Sequence, residues 1–210
     1  MKTTNKPKAP HFVAALPENY REVYRIDARE KRFGLVMNAV ALLVLAVVLA
    51  VAVPLIGPDR ILADLQGSLG RTVVILLAFM VSMIAYIILH ELVHGLFYHL
   101  LTHRKLTFGL SWSCAFCGVP DIWVTRRTAL YALLAPFVTF TLLLLPLTIL
   151  HGMYMPLAGL FSAFLLGLHL GGCSGDLYVT WLLLFRYRTS DLLMRDTGPE
   201  QTFCLPADRT

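Results

Sequence analysis

The chain has 210 residues, of which 57% are apolar and 15% charged, with a formal net charge of +5 and a mean hydropathy of +0.68. Soluble domains sit nearer half apolar and a quarter charged, so an ordinary water-soluble globule is excluded, as are a disordered chain and a disulfide-rich secreted scaffold. What remains is a bundle of a few membrane-crossing helices at about 20 residues each.

In chain order, residues 1–33 are polar and carry eight of the 18 Lys and Arg. The first apolar run begins too late and runs too long for a signal peptide, so this stretch reads as a cytoplasmic N-terminal segment. Its alternating run from Tyr20 to Ile26 suits a strand or a juxtamembrane helix. Four spans follow, at about 35–56, 72–101, 129–150 and 157–185. The second and fourth exceed the length a bilayer needs, so they tilt or protrude. Pro54, Pro136 and Pro146 lie in or near span ends, where neighbouring helices can satisfy the freed carbonyls.

Between the second and third spans, residues 107–125 mix Phe108, Trp112, Phe116 and Trp123 with Gly109, Gly118 and Pro120. That pattern predicts strands around a turn at Gly118-Val119-Pro120-Asp121, lying at the membrane surface. A hairpin edge there serves either to pair with an extended substrate or simply to anchor the loop. The polar residues from 189 to 210 read as a flexible cytoplasmic tail. The fold class expected is therefore an all-α membrane protein, with four transmembrane helices in residues 34–188 and a hairpin-like cytoplasmic loop between helices two and three.

The basic residues set the orientation. Sixteen fall in the N-terminal segment, the middle loop and the tail, whereas only Arg60 and Arg71 fall on the other side. This bias places both termini in the cytoplasm and accounts for the net charge without a nucleic-acid partner. Cys114, Cys117 and Cys204 then lie on the reducing side and Cys173 within a span, so disulfides are not expected.

Ionisable groups inside spans are costly in hydrocarbon and call for a reason. The second span carries His90, Glu91, His94 and His99, and the fourth carries His169 and Asp176. His90-Glu91-Leu92-Val93-His94 spells H-E-x-x-H, which on a helix projects both imidazoles from one face toward a single metal ion. Zinc suits that pair and activates water for attack on a peptide carbonyl, with Glu91 placed to take the proton. The bland alternative, two buried histidines bonded to neighbouring helices, leaves Glu91 unexplained in an apolar setting.

A third ligand is needed, and Asp176, His169, Asp121, Cys173, His99 and His103 are the candidates. Depth selects Asp176. It lies ten residues before Arg186, as His94 lies ten before Arg104, so both sit roughly 15 Å from the same end of their helices. Gly167, Gly171 and Gly175 recur every fourth residue and let helix backbones approach closely, and Gly95 offers similar room beside His94. His169, Cys173 and Gly175 stand as second-layer or substrate-side groups. His99 and His103 point off the His90/His94 face and mark the interface. The C-x-x-C of Cys114 and Cys117 has no second pair to complete a structural zinc site.

These motifs resemble a known group. His90-Glu91-Leu92-Val93-His94-Gly95, the Ala135-Pro136 pair and Gly175-Asp176 are similar to the site-2 type of intramembrane metalloprotease. They more closely resemble the small bacterial membrane proteins described as putative zincin peptidases. The resemblance implies zinc on His90, His94 and Asp176, Glu91 as general base, and a multi-pass location in a bacterial plasma membrane. It also implies a membrane protein or peptide substrate cut in a transmembrane or juxtamembrane segment. Two rival classes use the same residues otherwise: a metal transporter or sensor, and a histidine-box di-iron oxygenase. The first needs polar groups through both halves of the bilayer, and the second needs more histidines than the chain supplies.

Overall fold

The computed structural model describes residues 11–110 and 115–209; Lys2, Lys6, Lys8 and Cys114 lie outside the described residues. The first long helix, α1 (Lys31–Ile56), stops at Gly57, whose φ of +96° only glycine adopts without strain. Pro58 then opens a short helix, α2 (Pro58–Gly67), in what the sequence suggested was only a connection. Two polar residues tie α2 down. Arg60 donates to the carbonyls of Ile56 and Met153 at 3.0 and 2.7 Å, and Asp64 pairs with Arg71 while accepting from the Leu157 amide at 3.1 Å.

Ser68 caps α3 (Leu69–Thr102), and His103 ends it in the left-handed region at φ +53°. Next come α4 (Arg126–Tyr154) and α5 (Pro156–Gly172), then α6 (Ser174–Trp181) and a π-helical turn over Leu182–Arg186. Among the described residues, four helical stretches are long and apolar enough to cross a membrane: Lys31–Ile56, Leu69–Thr102, Arg126–Tyr154 and Pro156–Arg186. The last is the least apolar and the most enclosed. In its most apolar window 61% of residues are buried, against 11% in the first, which makes it the central post of the bundle.

Small residues set the closeness of that packing. A Cβ at Gly171 would stand 2.6 Å from the Ala41 carbonyl oxygen, and one at Gly167 would stand 2.7 Å from Leu45. The glycine stripe therefore serves the α1–α5 contact. Gly175, its third member, meets no neighbour and lines the site cavity. The outward faces of α1, α3 and α4 present Leu35, Leu42, Leu77, Ile84 and Leu142 uncovered.

The expected all-α architecture needs correcting at one end of the bundle, where antiparallel sheets cover the helices. β1 (Phe12–Val13), β2 (Tyr20–Asp27), β5 (Trp123–Thr125), β6 (Leu193–Asp196) and β7 (Glu200–Pro206) form one sheet in the order β1-β5-β6-β7-β2. Within the segment 189–210, expected as a flexible tail, Leu193–Asp196 and Glu200–Pro206 thus form a hairpin with Met194 and Phe203 fully buried. The physical reason is that Leu192-Leu193-Met194 and Phe203-Cys204-Leu205 bury against Tyr98, Val124, Leu183 and Tyr187. The alternating N-terminal run is β2, paired along β7 from Tyr20–Pro206 to Asp27–Glu200.

The middle loop also differs in register. β3 (Thr107–Leu110) pairs with β4 (Ala115–Gly118), so Gly118 ends a strand and does not open the turn expected there. Residues 119–122 instead carry the chain from this hairpin to the other sheet, and Val119 N–H bonds the Asp196 carbonyl at 2.8 Å. Glycines lock the two layers together. A Cβ at Gly118 would lie 2.3 Å from the Gly198 nitrogen, while the Phe116 ring occupies the space beside both Gly109 and Gly198.

Candidate metal centre

One turn of α3 separates His90 from His94, and the helical period turns both rings toward α6. The break between α5 and α6 at Cys173 brings Asp176, in the first turn of α6, to meet them. Its Oδ2 lies 3.5 Å from His90 Nε2 and 3.3 Å from His94 Nε2. Both histidines are buried, and one donor atom from each of the three residues falls within 4.8 Å of the others. Two imidazole nitrogens and a carboxylate oxygen are the donor set that zinc accepts, leaving a fourth position for water.

The orientation of His94 adds a test of fit. Its Nδ1 faces the Ala132 carbonyl at 2.9 Å. A carbonyl only accepts, so Nδ1 carries the hydrogen, and in the neutral ring Nε2 offers its lone pair toward Asp176. A lone pair aimed at a carboxylate oxygen is unfavourable unless a proton or a metal ion lies between them, so the pair is one that a metal would fit.

Glu91 is half-buried on the adjacent face. Its carboxylate lies beside the Cys117 backbone on β4. It lines two cavities that meet at His90 and Glu91. One, about 160 Å³, runs toward the sheet past Asp176, Cys117 and Asp196; the other, about 280 Å³, runs between α1 and α3 past Met37, Asn38 and Tyr86.

The other sequence candidates separate clearly. His169 is fully buried, and its Nδ1 shares the Tyr86 hydroxyl with His90 Nδ1, each at 3.0 Å. Cys173 is buried with its sulfur 3.7 Å from that same His169 nitrogen, and His90, His169 and Cys173 form a second close group of donor atoms. Asp121, His99 and His103 are exposed and belong to neither group. Gly95 does not make room for a metal, because Phe108 and Leu106 fill the space beside it. Cys117 is buried, which pushes its thiol up to about 12 and keeps it in the protonated, poorly ligating form.

Sequence reasoning missed two contributors. Tyr86, one turn before His90, joins the buried histidines. Asp196, from the segment expected as a mobile tail, accepts a 2.6 Å hydrogen bond from Tyr98 and another, at 2.9 Å, from the Gly198 amide in the wall of the smaller cavity. Burial pushes the Asp196 carboxyl up to about 6, although both hydrogen bonds oppose the shift. The i, i+4 spacing of Tyr86 and His90 was a readable signal for the first, whereas no local pattern pairs Asp196 with Tyr98.

A family model described as "putative zincin peptidase" matches residues 83–190, which is 108 of the 210 residues. The matched stretch holds His90, Glu91, His94 and Asp176. No curated protein and no solved structure matches the chain.

Proposed function

The chain belongs to the family described as "putative zincin peptidase", and on that premise we propose that it is a membrane-embedded zinc metallopeptidase. The observation that carries the reading is the meeting of His90 Nε2 and His94 Nε2 at one oxygen of Asp176. These three residues would hold zinc. The ion would supply a polarised water of pKa near 7 and charge stabilisation at the scissile carbonyl. His94 is held in the ligating tautomer by Ala132. Glu91 takes the proton of the attacking water and returns it to the leaving amine, with its carboxylate beside the Cys117 backbone.

Four apolar helices with uncovered Leu and Ile faces support a multi-pass membrane location. The basic bias supports cytoplasmic termini and a sheet on the cytoplasmic side, in the plasma membrane of a bacterium. The cavity between α1 and α3 supports substrates that approach from the bilayer, namely transmembrane or juxtamembrane segments whose helices unwind near the sheet.

The test is elemental analysis of the purified protein followed by a cleavage assay. Wild type is expected to hold about one zinc per chain. His94→Ala and Asp176→Ala are expected to lose it. Glu91→Gln is expected to remain folded and zinc-loaded while cleavage falls by at least 100-fold. Full activity in Glu91→Gln, or a folded wild type that takes up no zinc, would overturn the proposal.

A further inference from the structure

The hydrogen-bond pattern around His90 can be followed outward from the nitrogen that faces away from Asp176. Tyr86 Oη lies 3.0 Å from both His90 Nδ1 and His169 Nδ1. A single hydroxyl donates to only one of these nitrogens and must accept from the other. The metal-facing side of His90 decides which: with zinc on Nε2 the ring hydrogen sits on Nδ1, so Tyr86 Oη accepts from His90 and donates to His169. On the far side of the second ring, His169 Nε2 lies 3.0 Å from Thr141 Oγ1 on α4.

A neutral ring that accepts at Nδ1 carries its hydrogen on Nε2, where Thr141 Oγ1 can accept it. His169 Nδ1 is then a lone pair, and it accepts from the Tyr86 hydroxyl. The Cys173 thiol, a weak donor, lies 3.7 Å from that same lone pair. With its hydrogen directed to His169, Tyr86 Oη keeps a lone pair for the hydrogen on His90 Nδ1. His90 Nε2 is left as the lone pair that faces Asp176 Oδ2 at 3.5 Å. Each neutral ring keeps one hydrogen and each hydroxyl keeps one, so the chain is complete without adding or removing a proton.

We infer that Thr141, His169 and Tyr86 form a relay that holds His90 in its metal-ligating tautomer, as the Ala132 carbonyl does for His94. Tyr86 and His169 are thereby positioning residues for the metal centre, acting through His90. This rests on the zinc-site reading above. His169 and Tyr86 are well suited to the task, because one is fully buried, the other is partly so, and neither is in the set of three ligands.

The experiment is ¹⁵N NMR of the full chain labelled at histidine and loaded with zinc, paired with chelator competition on variants. In wild type, His169 is expected to be protonated at Nε2 and His90 at Nδ1; protonation of His169 at Nδ1 overturns the relay. Tyr86→Phe removes the acceptor from His90 and is expected to weaken zinc binding by about 10- to 100-fold. His169→Leu is expected to weaken it in the same direction. His169→Asn, which returns an acceptor close to the position of Nδ1, is expected to restore most of the affinity; a purely space-filling role for His169 would not separate these two variants. Unchanged affinity in Tyr86→Phe overturns the relay while leaving the zinc site standing. A wild type without zinc overturns both, and the wild-type spectrum decides the matter for any variant that fails to fold.

Discussion

At the scale of single residues, the buried Asp196 has consequences for stability. Burial raises its carboxyl to about 6 in the fold, above the ordinary value of 3.8. The native state therefore holds this proton more tightly than the unfolded chain does. The stability this one group contributes is full below about pH 4 and is lost as pH rises through about 6, at up to about 1.4 kcal/mol per pH unit. Thermal unfolding of the metal-free protein is expected to show a Tm that declines across this window, and Asp196→Asn is expected to flatten the decline. The residues of the metal centre were legible in the sequence because helical period and depth are both countable: His90 and His94 share a face, and Asp176 shares their level. Asp196 was not, because its partner Tyr98 lies 98 residues away on another element. The bond of Tyr86 to His169, across 83 residues, was hidden for the same reason.

At the scale of elements, α5 packs with little tolerance among the helices. A methyl group at Gly171 would meet the backbone of Ala41 rather than a side chain that can rotate away. Gly171→Ala is expected to destabilise by about 1 to 3 kcal/mol, read as a lower Tm in detergent. Gly70→Ala, at a position with open space around it, serves as the control and is expected to be neutral or slightly stabilising. The four long helices were legible from apolar length alone. The strands of the C-terminal segment were not, although the turn at Thr197-Gly198-Pro199 between Leu192-Leu193-Met194 and Phe203-Cys204-Leu205 is a hairpin signal. Each strand is short, and what stabilises it is burial against Tyr98, Leu183 and Tyr187, which local composition does not reveal. The turn of the middle loop was misplaced because Gly118 reads as a turn residue, whereas it is a close contact between two layers.

At the scale of the whole molecule, pairing of β2 with β7 requires both to lie on one side of any membrane the helices cross. An even number of spans satisfies that requirement, and four are present. Topology reporters fused before β2 and after β7 are expected to report the same compartment, the cytoplasm. Reporters at α2 are expected to report the opposite one. The same strand pairing fixes an order of events during synthesis. Tyr20 must wait for Pro206 before its strand has a neighbour, an interval of roughly 10 to 40 seconds at ordinary translation rates. Through that interval the wall contributed by Asp196, Gly198, Pro199 and Gln201 does not yet exist beside the histidines. The cleft thus takes its final form only after β7 has been made, so the last residues synthesised complete a wall whose histidines were laid down about a hundred residues earlier.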